Sequence, residues 1–353
     1  MKRRDVMLNV FIIAILFLFI WYADKNFDSY QVRILNLCAI YTVLGLSMNL
    51  INGFTGLFSL GHAGFMAVGA YTTALLTMTP QAKVQTFFLE PIYEPLLNLN
   101  LPFFIALLIG GILSAVIAFL IGAPTLRLKG DYLAIATLGF SEIIRIIFTN
   151  TQNITNGPLG LKGIPNTTNL WWSFGTMLFT LMFMVALINS SYGKAFKAIR
   201  EDEIAAESMG INLFKHKSMA FVIGAFFAGI GGGLLGNLLG AINPNMFRFV
   251  LTFNVVLIIV LGGMGSITGT VISAFVVTAG LEYLRFLDES INLGFVTLPG
   301  VSGLRMVVFS ALLMIVVIFF RNGLMGNNEF SWDKFFEFFN RRPPSRTKEV
   351  ERS

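Results

Sequence analysis

Charge is what this sequence has least of. Only 12 % of its 353 residues are Asp, Glu, Lys or Arg, about half the share of an ordinary globular domain, and that shortage excludes a soluble protein. A lone cysteine, Cys38, excludes an intrachain disulfide, and with only His62 and His216 beside it there are too few ligands for a metal cluster. No Gly-x-x-x-x-Gly-Lys-Ser/Thr segment occurs, so a phosphate loop of that kind is missing. Gly262-Gly-Met-Gly-Ser-Ile-Thr-Gly269 has the glycines without the lysine, and Gly229-Ile-Gly-Gly-Gly-Leu-Leu-Gly236 lacks both lysine and hydroxyl. Any ATP must therefore be bound by another chain; no metal or other cofactor is expected here.

What is present is apolar. Hydrophobic residues make up 55 % of the chain, gathered in ten runs near 6–23, 32–51, 62–79, 102–122, 132–148, 171–189, 218–242, 247–262, 268–284 and 303–320. A helix needs ~20 largely apolar residues to cross a bilayer. The expected fold is an all-α membrane protein, a polytopic helical bundle of about ten transmembrane segments. Its first run follows Lys2, Arg3 and Arg4, as a secretory signal does, but ends Ile20-Trp21-Tyr22-Ala23 without a small-x-small cleavage site. It reads as an uncleaved first span.

Lys and Arg are retained on the cytoplasmic side of short loops, and their placement gives the orientation. Seventeen of the 25 fall in the N-terminal tip, 122–130, 190–217 and the C-terminal segment 321–353 that follows the last apolar run. Six, namely Lys25, Arg33, Lys83, Lys162, Arg248 and Arg285, fall on the other side or its edges. Both termini are expected to be cytoplasmic, with an even number of crossings of a bacterial inner membrane. The net charge of +6 thus describes the two faces of a membrane and implies no nucleic acid. Residues 1–330 form the membrane domain. The tail 331–353, with Trp332, Phe335, Phe336, Phe338 and Phe339 among charges before Arg341-Arg342-Pro343-Pro344, reads either as an interfacial amphipathic helix or as a poorly ordered end.

Three constellations stand out. Asn49, Asn52, Thr55, Ser59 and His62 crowd polar groups between two apolar runs, loosened by Gly53, Gly56, Gly61 and Gly64. The 52–61 stretch is too short and glycine-rich for an ordinary loop between full spans, so a neighbouring segment is expected to be broken or re-entrant. Uncovered backbone in lipid costs several kcal/mol, so the stretch must face protein or a solvated path. It is the candidate translocation path, with a satisfied helix junction as the alternative. Gly229, Gly232, Gly233, Gly236 and Gly240 recur at four-residue spacing and read as close helix packing. Glu142 and Arg145 stand three apart, where they can pair, and Glu282 with Arg285 reads similarly; Arg305 has no acidic residue at such spacing and must snorkel or meet another helix.

The longest polar connection is 190–217. Ala195, Ile199, Ala206 and Met209 fall close to helical spacing opposite alternating charges, and Gly210 suits a helix stop. An amphipathic helix of this kind fits either a groove on a partner protein or the lipid headgroups.

Within it, Glu203-Ile-Ala-Ala-Glu-Ser-Met-Gly210 resembles the coupling segment of ATP-binding-cassette importer permeases. The flanking 192–203 narrows the resemblance to the branched-chain amino acid permeases of LivM type, and 45–71, 129–145 and Leu261-Gly-Gly-Met-Gly-Ser-Ile-Thr-Gly269 agree. It covers roughly 32–320. The resemblance implies that Arg200, Glu201, Glu203, Ala205, Ala206, Glu207 and Gly210 couple the chain to an ATPase. It further implies two ATPase subunits, a second related permease in a heterodimer, an external solute-binding protein, and transport of branched-chain amino acids or a related small solute such as urea or an amide, with no bond chemistry on this chain. Charge reversal by Glu203→Lys is then expected to uncouple transport from hydrolysis. The alternative is a secondary transporter driven by an ion gradient, with Glu142 as its main buried carboxylate.

Overall fold

The computed structural model describes residues 3–128, 130–288, 291–292, 297–298, 303–304, 307–311, 314, 323–326 and 329. Arg305, much of the last apolar run and the tail 331–353 lie outside the described residues. The described residues are mostly helical: α1 (Arg3–Asn26), α2 (Ser29–Met48), α3 (His62–Thr77), the short α4 (Pro80–Thr86) and α5 (Glu94–Leu97), α6 (Phe103–Thr125), α7 (Asp131–Asn150), one turn of α8 (Gln152–Thr155), α9 (Leu170–Asn189), α10 (Ser191–Glu201), α11 (Glu203–Ser208), α12 (Leu213–Leu239), α13 (Phe249–Gly262) and α14 (Ile267–Tyr283). Among the described residues, strands are limited to two antiparallel two-residue pairs, Leu161–Lys162 with Ala241–Ile242 and Ile291–Asn292 with Thr297–Leu298.

Nine of the ten apolar runs fall on helices. Among the described residues, five segments are long and apolar enough to span a membrane: Ser29–Phe54, α6, α7, α9 and α12. Helices α13 and α14 are apolar but shorter. This is an all-α, multi-pass membrane protein. Its surface inverts that of a soluble bundle: Ile112 and Leu120 on α6, Ile135 and Ile143 on α7, and Phe179 and Met182 on α9 all face outward, where only lipid or another subunit can cover them.

The centre is α3, with 15 of its 16 residues buried. At 1.5 Å per residue it is about 24 Å long, shorter than the ~30 Å hydrocarbon layer, and it survives because α6 and α12 enclose it. Closeness there depends on missing side chains: a Cβ at Gly69 of α3 would overlap the backbone of Gly229, and one at Gly229 would meet Ser114 and the Gly110 carbonyl of α6. Gly232 and Gly233 face Met66 and Thr73 of α3 in the same way, and Gly236 lies beside Ala70. Gly240 has a different part, standing at φ +71° to end α12.

Polar structure collects at the two ends. At one, α4 and α5 are pinned by buried Lys83, whose Nζ donates to the carbonyls of Leu96 (2.7 Å) and Leu99 (2.6 Å). Burial lowers the pKa of that ammonium. Asn156 Nδ2 donates to Thr86 O (3.1 Å) and Gly160 O (2.8 Å) beside it. The other end holds α10, α11 and the α13–α14 turn.

Candidate functional site

The helix that begins as α2 does not end cleanly. Its last residues, Asn49–Phe54, widen into a π-helical turn, a form that occurs in short pieces and often at functional places. Irregular backbone then runs from Thr55 to Gly61 before α3 begins at His62. All five polar side chains singled out in the sequence lie in or beside this break and are buried. Asn49 Nδ2 donates to Ser266 O (2.9 Å) and Thr270 Oγ1 (2.8 Å), while its Oδ1 accepts from Gly265 N (2.8 Å). Asn52 closes the loop on Ser59, donating to its carbonyl (3.2 Å) and accepting from its N–H (3.3 Å). Thr55 Oγ1 donates to Leu50 O (2.9 Å).

His62 Nε2 lies 2.8 Å from Ser47 Oγ. That hydroxyl gives its one proton to Leu44 O (2.7 Å), so the imidazole is the donor between them. Two threonines that the sequence reading passed over satisfy the rest of the break. Thr137 of α7 accepts from Leu60 N and Thr252 of α13 from Ala63 N, each at 3.0 Å. The break is thus bonded to α7, α13 and α14, and each of the five side chains has a partner within this chain.

The 190–217 connection is two helices and not one. Asp202 leaves helical geometry (φ −157°, ψ 115°), and its Oδ1 accepts from the N–H groups of Ile204 (2.8 Å) and Ala205 (3.0 Å), capping α11. The split rotates α11 against α10. Ile199 and Ala206 are buried as their spacing suggests, yet Met209 is 83 % exposed and Ile204 73 %. Glu201, Ala205, Glu207 and Gly210 are also exposed. Glu203 turns inward instead: its Oε1 accepts from Nζ of Lys217 at 2.6 Å, with the lysine side chain 5 % and the glutamate 31 % exposed. The partner stands 14 residues away across the Gly210 turn, beyond the spacings at which helix pairs can be read from sequence.

Arg200, at the end of α10, also points into the protein. A Cβ on Gly56 would come within 3.1 Å of the Arg200 Cα, and one on Gly265 would overlap a guanidinium nitrogen. Both glycines have positive φ, +73° and +88°. Lys197 of the same helix sets its Nζ 5.9 Å from the Phe54 ring. The candidate coupling segment and the candidate path, 140 residues apart, therefore touch.

Of the intramembrane charges, Arg145 Nε pairs with Glu142 Oε2 at 2.6 Å, and Glu282 Oε2 accepts from the Tyr30 hydroxyl at 3.2 Å. Glu329, unremarked in the sequence, caps α14 by accepting from the N–H groups of Ile267 (2.6 Å) and Thr268 (3.1 Å).

The fold defines a multi-pass helical membrane protein whose exposed polar connection packs on a buried helix break. The chain belongs to the family described as the permease component of the branched-chain amino acid transport system, which matches residues 30–318. It is 35 % identical over 292 residues to the high-affinity branched-chain amino acid transport system permease protein LivM of Escherichia coli K12, covering 73 % of this chain and 64 % of that relative. The probable LivM of Methanocaldococcus jannaschii is 26 % identical, over 81 % of this chain and 90 % of its own. LivH of Salmonella typhimurium is 23 % identical over 88 % and 97 %. The chain thus spans just under two thirds of the length of the Escherichia coli relative. No solved structure gives a match.

Proposed function

We propose that this chain is the permease subunit of an ATP-driven importer of branched-chain amino acids, or of a related small polar solute such as urea or an amide. It works in a bacterial inner membrane with about ten spans, one of them broken, and both termini cytoplasmic. A second, related permease pairs with it, two ATPase subunits bind on the α10–α11 side, and an external binding protein delivers solute at the α4–α5 end. ATP is held by the ATPases and no cofactor by this chain. Family membership across 30–318 carries this reading. Likeness to both LivM and LivH relatives supports a two-permease assembly, and exposed Ile204 on α11 and Met209 just after it support docking of a partner there.

ATP can shift two states only through contacts that differ between them. The proposed difference arises at α10–α11, which the closing ATPases displace. Solute then passes beside the break, as Asn49, Asn52, Thr55, Ser59 and His62 exchange partners. The pairing of Glu142 with Arg145 weakens the case for an ion-driven carrier, which needs a free buried carboxylate. The test is leucine uptake by vesicles holding the purified assembly. Uptake should require ATP inside and the binding protein outside. Uptake driven by a sodium or proton gradient after removal of every ATPase subunit would refute the proposal.

A further inference from the structure

We propose that Arg200 is a positioning residue, which passes displacement of α10–α11 to the helix break and to the α13–α14 turn and takes no part in holding the ATPase. The proposal rests on the coupling role given above to this connection and says how displacement reaches the bundle. Around Arg200, the exposed residues include Glu201, Ile204, Ala205 and Met209; Arg200 itself is half-buried, with its backbone against Gly56 and its guanidinium against Gly265. Those two glycines belong to separate structures. Gly56 lies in the break that precedes α3, and Gly265 in the turn that joins α13 to α14.

Asn49 joins the same two structures from within: it sits in the π-helical turn, takes the Gly265 N–H and gives its amide to Ser266 and Thr270. A Cβ on Gly53 would overlap both Asn49 Oδ1 and Gly265 N, so the two backbones already touch. Arg200 is therefore wedged where α10, the break and the turn converge. A rigid planar guanidinium there leaves α10 little room to move unless the break and the turn move with it. The π-helical turn Asn49–Phe54 is a short irregularity within its helix, of the kind found frequently at functional sites. The exposed and buried positions of α10–α11 thus divide the labour: one set grips, and Arg200 transmits.

The test uses the whole assembly of both permeases, ATPases and binding protein in liposomes, read as ATPase retention on purification, ATP hydrolysis, and leucine taken up per ATP. Arg200→Ala should keep the ATPases bound and hydrolysis running while lowering leucine per ATP about tenfold, within the usual range of coupling between sites. Arg200→Lys, which keeps charge and stem but not the planar fork, should recover part of the coupling. Loss of ATPase subunits from Arg200→Ala would make Arg200 a docking contact and overturn the proposal, as would unchanged leucine per ATP. If the alanine variant fails to accumulate, Arg200→Lys decides by the same two readings. Uptake by the unaltered assembly without any ATPase would instead remove the importer reading, an outcome distinct from either result at Arg200.

Discussion

Glu203 is the residue at which sequence and structure differ most in consequence. Its place in a segment that resembles a coupling helix implies that Glu203→Lys uncouples transport from hydrolysis and leaves the protein inserted. In the folded chain it is the tie between α11 and the first turns of α12, through Lys217. Removing one partner of such a pair leaves the other with its desolvation cost uncompensated. Lys217→Met should therefore lower stability by about 1–3 kcal/mol, seen as a lower melting temperature in detergent. Glu203→Lys should lower it too, by setting two ammonium groups together. The swap of Glu203→Lys with Lys217→Glu should recover melting temperature and uptake together. A Glu203→Lys protein as stable as the parent, with no gain from the swap, would show that the ion pair is not what holds α11.

At the scale of elements, Ile204 on the six-residue α11 and Met209, which follows its last residue, both face outward. Buried apolar anchors carry most of the energy of such contacts, commonly 2 kcal/mol or more each. Ile204→Asp with Met209→Asp should weaken ATPase retention at least about thirtyfold and leave the melting temperature of the isolated chain unchanged; a lowered melting temperature with full retention would contradict a docking role. Inside the bundle, Gly229→Val should cost about 1–3 kcal/mol or more by overpacking against α3 and α6, measured as loss of folded protein on heating. The helices themselves were legible, since apolar runs mark them whatever they pack against. The split at Asp202 was not, because helix formers on both sides hide a cap that works only if the chain bends. The break at 55–61 was legible from its glycines. Its bonding was not, because Thr137, Thr252 and Thr270 stand 77, 189 and 221 residues from their partners, and no local spacing carries such a pairing.

For the molecule as a whole, the basic residues and the fold make the same division by different routes. The 190–217 connection, the α13–α14 turn and Gly56 meet at one end through Arg200. The 122–130 connection belongs with them, since Gly122 packs against Phe221 near the start of α12. Helices α4, α5 and α8 sit at the other end, bound together by Lys83 and Asn156. The two loops among these that are rich in Lys and Arg thus share an end, as retention of positive charge on the cytoplasmic side requires. The chain supplies its own means of testing this, because its single cysteine, Cys38, is buried and offers no background to a membrane-impermeant thiol reagent. Leu89→Cys, exposed beyond α4, should label in intact spheroplasts, whereas Ile204→Cys should label only in inside-out vesicles. The opposite pattern would invert the orientation, place α10–α11 outside the cell where no ATP is available, and leave the proposed coupling without an energy source.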